Sequence, residues 1–193
     1  NQAQTCIIHS ANAQLVFSGG LEPAKLNVGD YRGMDNIGGM FPIGEVFTEA
    51  KNLENVQGKV RIFAFGDTQF LVNRPATPIT LVVEKGRVIQ AVDSTPEMDV
   101  VLDKIHTVEG EVWVRELGFG LNRAFNAQRI TQDVGTYERM CGVHLSLGAK
   151  HMFPKPQISR SAARYHIDVF AVSDSVTLDD DIVYQNGQWI NDE

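Results

Sequence analysis

The sequence has little cysteine, no excess of positive charge and no long hydrophobic run. Its two cysteines, Cys6 and Cys141, lie far apart, so neither a disulfide framework nor a zinc knuckle is indicated. The net charge of −7 argues against nucleic acid or an anionic membrane as a partner. No apolar stretch reaches the roughly 20 residues that span a bilayer, and no signal sequence is visible. We therefore expect a cytoplasmic protein.

The composition is that of a folded domain. At 193 residues and 43% hydrophobic, the chain can bury a full core. Short apolar or alternating segments separated by turn residues predict strands at 6–9, 14–17, 60–65 and 80–83, with a tight turn at 84–87. We predict an α+β fold with a mainly antiparallel sheet. We treat 1–193 as a single domain, in which 171–193 is an acidic C-terminal extension with solvated acidic runs at 179–181 and 191–193.

The clearest helix signal follows Ser94. A capping residue, a proline and an early acid occupy 95–97, which favours a helix start. The apolar residues that follow at helical spacing are Met98, Val101, Leu102 and Ile105. A second short helix is predicted over 124–130.

The last third of the chain holds a histidine and an aspartate two residues apart, His166 and Asp168. In an extended strand, residues i and i+2 point to the same face, so both side chains can hold one metal ion. A second strand-like histidine, His144, lies one loop upstream. The alternative is an internal hydrogen-bonded pair in which Asp168 fixes the tautomer of His166. A metal site is the leading hypothesis.

Two glutamates, Glu45 and Glu116, lie among glycines and large apolar residues. An ionised glutamate is costly in such surroundings unless a cation or a hydrogen-bond donor meets it, so both are candidate metal ligands. The alternative for Glu116 is an internal ion pair with Arg115 or Arg123.

A third acid, Glu138, precedes the strand of His144 by a few residues. This short separation would place it beside an activated water as a general base that is not itself a ligand. The alternative is that Glu138 is only a charged residue beside a turn.

Taken in order, these segments resemble a known family. The order Gly-Glu-Val-Phe-Thr, Glu-Leu-Gly-x-Gly-x-Asn, an acid, Gly-Val-His-Leu-x-Leu-Gly and His-x-Asp is similar to the C-terminal half of the aminopeptidase T and aminopeptidase S metallopeptidases. The similarity runs over about 15–170. Those enzymes are two-metal exopeptidases, and 2,5-dihydroxypyridine dioxygenase, a mononuclear iron enzyme, shares their architecture.

The resemblance implies a ligand set and two alternative chemistries. In the peptidase, two divalent ions (Zn, Co or Mn) polarise a peptide carbonyl and activate a bridging water. Glu138 manages the proton, and we count Glu138 and Glu116 as catalytic. The dioxygenase would bind one Fe(II) through a subset of three ligands and act on a small aromatic molecule. The implied peptidase ligands are Glu45, Glu116, His144, His166 and Asp168, and the dioxygenase subset is His144, His166 and Asp168.

Two positions depart from the peptidase pattern. Where that family has a tyrosine near the metals, this chain has His151, a possible further ligand or substrate contact. Arg139 replaces the lysine that usually follows the acid, and it can contact a substrate carboxylate or pair with Glu138.

Length is the third departure. The peptidases and the dioxygenase carry a further N-terminal domain, on the order of 150 to 250 residues, ahead of this region. We therefore expect either a piece of a longer protein or a stand-alone relative. The expected assembly is a homodimer, and a non-catalytic metal-binding or dimerisation domain is the third alternative.

Overall fold

The computed structural model describes residues 3–33, 35 and 41–190. Within these ranges, strands account for most of the regular structure. The strands are β1 (Thr5–Ser10), β2 (Ala13–Ser18), β3 (Lys25–Asn27), β4 (Glu45–Glu49), β5 (Val56–Gly66), β6 (Val72–Asn73), β7 (Ile79–Glu84), β8 (Arg87–Val92), β9 (Val114–Gly120), β10 (Gly142–Leu147), β11 (Ile167–Ala171), β12 (Ser175–Leu178), β13 (Asp181–Gln185) and β14 (Gln188–Trp189). The helices are α1 (Pro96–Glu109) and α2 (Val134–Tyr137), with a 3₁₀ turn at Leu53–Asn55.

The strands form one curled, mainly antiparallel sheet. Its order is β14-β13-β12-β1-β2-β5-β11-β10-β9-β4-β3, and β7 pairs with both β5 and β8. The predicted antiparallel sheet with few helices is confirmed, although the sheet dominates so strongly that the label α+β describes it only loosely. In this order β11, β10, β9 and β4 are consecutive neighbours, which positions the candidate site.

The predicted local structure is confirmed for the first two strands, the tight turn and the first helix. β1 and β2 pair antiparallel, and Lys85 and Gly86 both have positive φ in the turn from β7 to β8, as a two-residue hairpin turn requires. The helix α1 begins after Thr95, whose side chain accepts a hydrogen bond from the Met98 amide. The predicted apolar face is buried or partly buried against the sheet.

The predicted helix over 124–130 is wrong. The side chain of Asn122 accepts a hydrogen bond from the amide of Ala124, and that of Asn126 accepts one from Arg129, each at 3.0 Å. Such bonds stabilise turns in place of a helix. The short helix α2 lies a few residues further along the chain.

The acidic C-terminal region contributes strands to the sheet. β12 pairs with β1, and the buried side chains of Val176 and Tyr184 join the main core. The exposed acidic run at 179–181 lies where β12 turns into β13. The run at 191–193 lies outside the described residues, as do 34 and 36–40 ahead of Glu45.

Both cysteines are buried and free. Burial raises the pKa of Cys6 to about 12 and also raises the pKa of Cys141 above its ordinary value. A raised pKa keeps both thiols protonated, which is typical of buried cysteines that pack as small hydrophobic residues. Among the described helices, none is long and apolar enough to cross a membrane.

Candidate metal centre

Four neighbouring strands carry the predicted ligands. Glu45 begins β4, Glu116 lies on β9, His144 on β10 and Asp168 on β11, while His166 immediately precedes β11. The cross-strand register brings these side chains together although they are up to 123 positions apart in the sequence. All five therefore lie at one place in the sheet.

The glycines of the Glu-Leu-Gly-x-Gly segment make room for this arrangement. Gly118 lies opposite His144, and a Cβ atom on Gly118 would stand 1.9 Å from His144 Nε2. A Cβ atom on Gly120 would stand 1.8 Å from the carbonyl oxygen of Met140. Only glycine fits at either position without displacing the neighbouring strand or the ring.

The first ligand group consists of Glu45, Glu116 and His144. Their donor atoms lie within 4.8 Å of one another, and all three residues are buried. His144 Nε2 lies 3.1 Å from Glu116 Oε1 and 3.3 Å from Glu45 Oε1. Burial alone would lower the pKa of His144, but hydrogen bonds and charge interactions with the two carboxylates raise it well above its ordinary value.

The second ligand group consists of Glu116, His166 and Asp168, again within 4.8 Å of one another. His166 Nε2 lies 3.1 Å from Asp168 Oδ1, and His166 Nδ1 donates to the Lys150 carbonyl at 3.0 Å. Burial opposes the charged imidazole, but Asp168 outweighs it and raises the pKa of His166 to about 9. The backbone contact at Nδ1 leaves Nε2 facing the group, as metal-binding histidines require.

Glu116 belongs to both groups. Burial disfavours its charge, but hydrogen bonds from His144 and His151, together with the charges of His144 and His166, hold the pKa of its carboxyl far below the usual range. Imidazole and carboxylate are the donors that zinc and related divalent metals take in proteins. Asp168 Oδ1 is buried and accepts no well-oriented hydrogen bond from the described residues, a deficit that a cation would compensate. The site therefore fits divalent metal.

The subset proposed for a mononuclear iron site is divided between the two groups. His144 lies in the first group, whereas His166 and Asp168 lie in the second. Among the described residues, these three donors do not form a group of their own within the same distance. The shared carboxylate of Glu116 is what connects them.

Glu138 and Arg139 lie beside the ligands. Glu138 follows α2, and its pKa is raised to about 8 by burial and by the negative charge of Asp168, despite the opposing charge of His144. Arg139 pairs with Glu138 through Nη1 and with Glu45 through Nη2, the latter at 3.3 Å. Arg139 thus links the candidate acid/base residue to a candidate ligand.

The alternative ion pair of Glu116 with Arg115 is not formed. Arg115 Nε instead donates to Glu49 Oε2 at 2.7 Å, and Arg115 Nη2 donates to Glu49 Oε1 at 3.1 Å. Glu116 faces His144 and also His151, whose Nε2 lies 2.9 Å from Glu116 Oε2.

Sequence reasoning missed the buried charges behind His151. Glu49 and Arg115 form a bidentate pair, and Lys155 Nζ lies 3.5 Å from Glu49 Oε1. One signal was available, because Glu49 lies four residues after Glu45 in a strand-like segment and so shares its face. The contributions of Arg115 and Lys155 depend on pairing that only the folded chain shows.

A cavity of about 650 Å³ opens beside the second group. Glu116, Glu138, His151, His166 and Asp168 supply its polar wall. Asp67 and Lys150 also line the cavity, and the apolar part of its lining includes Phe47, Phe70, Val134, Tyr137 and Met152. A volume of this size with a few converging polar groups is typical of a small-molecule site. Its position beside the ligands makes it the candidate substrate site.

No protein-family model matches the chain, and no curated protein matches it. Among solved structures, 2,5-dihydroxypyridine dioxygenase from Pseudomonas putida KT2440 matches with a TM-score of 0.70 and 19% identity, over 100% of this chain and 56% of that chain. Wild-type AmpT from Thermus thermophilus, an aminopeptidase T, matches with a TM-score of 0.66 and 17% identity, over 98% of this chain and 50% of that chain. The chain thus spans about half the length of these enzymes and shares the fold of that half.

Proposed function

We propose that this chain is the metal-binding region of a hydrolase that acts through two divalent cations and removes N-terminal residues from peptides. The observation that carries the proposal is the double membership of Glu116, whose carboxylate lies in both ligand groups. Two metals that share a carboxylate are a recurrent arrangement for hydrolysis, because they act together on the attacking and the leaving atoms. The likeness to an aminopeptidase T structure supports it.

Each side chain has a role in this proposal. Glu45, Glu116 and His144 would hold one cation, and Glu116, His166 and Asp168 the other. Two bound cations, zinc, cobalt or manganese, would polarise the scissile carbonyl and lower the pKa of the attacking water.

Glu138 is the candidate general acid/base. It lines the cavity but belongs to neither ligand group. A carboxylate so placed can accept a proton from the attacking water and return it to the leaving amine. Arg139 holds the Glu138 carboxylate in place through its ion pair.

The cavity provides the substrate contacts. Its carboxylates are suited to the ammonium group of a peptide N-terminus. The exposed side chains of Phe70 and Met152 offer apolar surface for the substrate side chain at the cavity wall. Both features favour an exopeptidase that prefers an apolar N-terminal residue.

A mononuclear iron dioxygenase is the second candidate. It is favoured by the TM-score of 0.70 to 2,5-dihydroxypyridine dioxygenase over the whole of this chain. The ligands would be His144, His166 and Asp168, the two-histidine, one-carboxylate set of non-haem iron. Their division between two groups argues for the peptidase instead.

Elemental analysis of protein purified without chelator or affinity metal separates the two. About two zinc, cobalt or manganese ions per chain, with release of leucine from a leucyl p-nitroanilide, would support the hydrolase. About one iron per chain, with oxygen uptake on 2,5-dihydroxypyridine, would support the dioxygenase. A folded protein that takes up no added metal would contradict both. His166→Ala is the control and should lose metal in either case.

A further inference from the structure

Glu49 is a fully buried carboxylate that belongs to neither ligand group. It shows no solvent exposure and is paired with Arg115 and Lys155. Replacing a buried ion pair by apolar residues of similar volume is often neutral or stabilising, so stability alone does not account for these charges. Because these charges lie beside the candidate metal centre, they are candidates for holding one of its residues in place.

The charges fix the segment that carries His151. Arg115 Nη1 donates to the carbonyl of Ala149 at 2.6 Å, and Arg115 Nη2 donates to the carbonyl of Phe153 at 2.8 Å. These two carbonyls lie two residues before and two residues after His151. The guanidinium that binds Glu49 therefore also holds the backbone on both sides of the imidazole.

The ring of His151 lies between two carboxylates. Its Nδ1 is 3.6 Å from Glu49 Oε2, and its Nε2 is 2.9 Å from Glu116 Oε2. The ring also stacks on His166, with centroids 5.9 Å apart and planes inclined by 6°, and it meets Phe47 edge-on at 6.1 Å. Nδ1 makes no hydrogen bond among the described residues, so Glu49 acts on it through charge.

We propose that Glu49 is a positioning residue that holds His151 with Nε2 towards Glu116, and that His151 thereby orients the carboxylate shared by the two ligand groups. In the metal-free protein the two oxygens of Glu116 are each held by one imidazole, Oε1 by His144 and Oε2 by His151, and the contact from His151 is the one that bound metal would leave in place. The assignment rests on the proposed function for its metal readout, because it treats Glu116 as the shared ligand.

The test measures Co²⁺ affinity by competition with a chelator, in four variants of the full chain. Glu49→Gln and His151→Gln are each expected to weaken binding about 10- to 100-fold, as loss of an orienting partner does. The double variant should bind no more weakly than His151→Gln, because Glu49 acts through His151. Glu22→Gln is the matched control, since it removes the 2.7 Å partner of Lys155 and leaves Glu49 in place.

Wild-type affinity in folded His151→Gln, or independent additive losses in the double variant, would overturn the assignment. If Glu49→Gln does not fold, Glu49→Asp keeps the negative charge but draws the carboxylate back from both Arg115 and His151, which face the same oxygen, and it should show a loss in the same direction. Failure of the proposed function is distinguishable, because a wild-type protein that binds no Co²⁺ contradicts the two-cation centre alone. In that case the ¹⁵N resonances of His151 in metal-free protein test the role of Glu49. Glu49→Gln should shift these resonances and Glu22→Gln should not.

Discussion

Gly118 lies directly across from His144, at the one position of β9 where a Cβ atom would stand 1.9 Å from His144 Nε2. The imidazole occupies the volume that a side chain would take, and this lets His144 reach the carboxylates of Glu45 and Glu116. The glycine is therefore part of the candidate metal centre although it offers no donor atom.

The variant Gly118→Ala should lose the cation that Glu45, Glu116 and His144 would hold. The added methyl group displaces His144 or the strand, and overpacking of this kind costs about 1–3 kcal/mol of the free energy of unfolding. Metal analysis and urea denaturation would measure both effects. In a His144→Ala background the same substitution should cost little, because the ring is gone, and an equal cost in both backgrounds would contradict the steric argument.

Substitutions of the ligands should remove either one or both cations. Glu116→Gln removes the residue common to both groups and should lose both cations, whereas Glu45→Gln and Asp168→Asn should each lose one. Elemental analysis of dialysed protein would give the number of ions per chain. Two ions retained in Glu116→Gln would show that the two groups do not share this carboxylate.

Glu138→Gln should separate catalysis from metal binding. Because Glu138 belongs to neither ligand group, the variant should keep the metal content of the wild type. Its kcat on a leucyl p-nitroanilide should fall about 10²- to 10⁴-fold, the usual contribution of a general acid/base. Loss of metal together with activity would instead assign Glu138 to the ligands.

Metal binding should release protons near neutral pH. In the metal-free protein Asp168 raises the pKa of His166 to about 9, so this imidazole is protonated at pH 7, whereas a ligating imidazole is neutral. Metal affinity should therefore rise as pH increases from 7 towards 9. Calorimetry in buffers of different ionisation enthalpy would count the released protons. Affinity independent of pH would contradict the assignment of His166 as a ligand, and His9→Gln, on β1, should leave the pH dependence unchanged.

Arg115→Met should strongly destabilise the fold. It leaves Glu49 buried without its bidentate partner, and breaking a buried ion pair from one side costs about 3–5 kcal/mol. Arg32→Met is the control, because the pair of Arg32 with Asp30 is exposed and should contribute nothing measurable. Urea denaturation would give both values. Equal stability of the two variants would show that Glu49 finds another partner.

Local sequence signals determined much of the fold. The hairpin of β1 and β2, the turn at Lys85 and Gly86, and the start of α1 after Thr95 each follow from residues close together in the chain. The alternation of side chains along an extended strand also predicted that His166 and Asp168 face the same side. The segment 124–130 forms turns and not the predicted helix, because two asparagine side chains bind the backbone there.

The tertiary structure decided which of the proposed residues meet. The sequence alone supplied Glu45, Glu116, His144, His166 and Asp168 as candidates, and the order of their motifs suggested one site. That β4 lies beside β9, and β9 beside β10, is set by long-range strand pairing, which local periodicity cannot specify. This pairing makes Glu116 common to two groups, gives Arg115 to Glu49 and places His151 between two carboxylates.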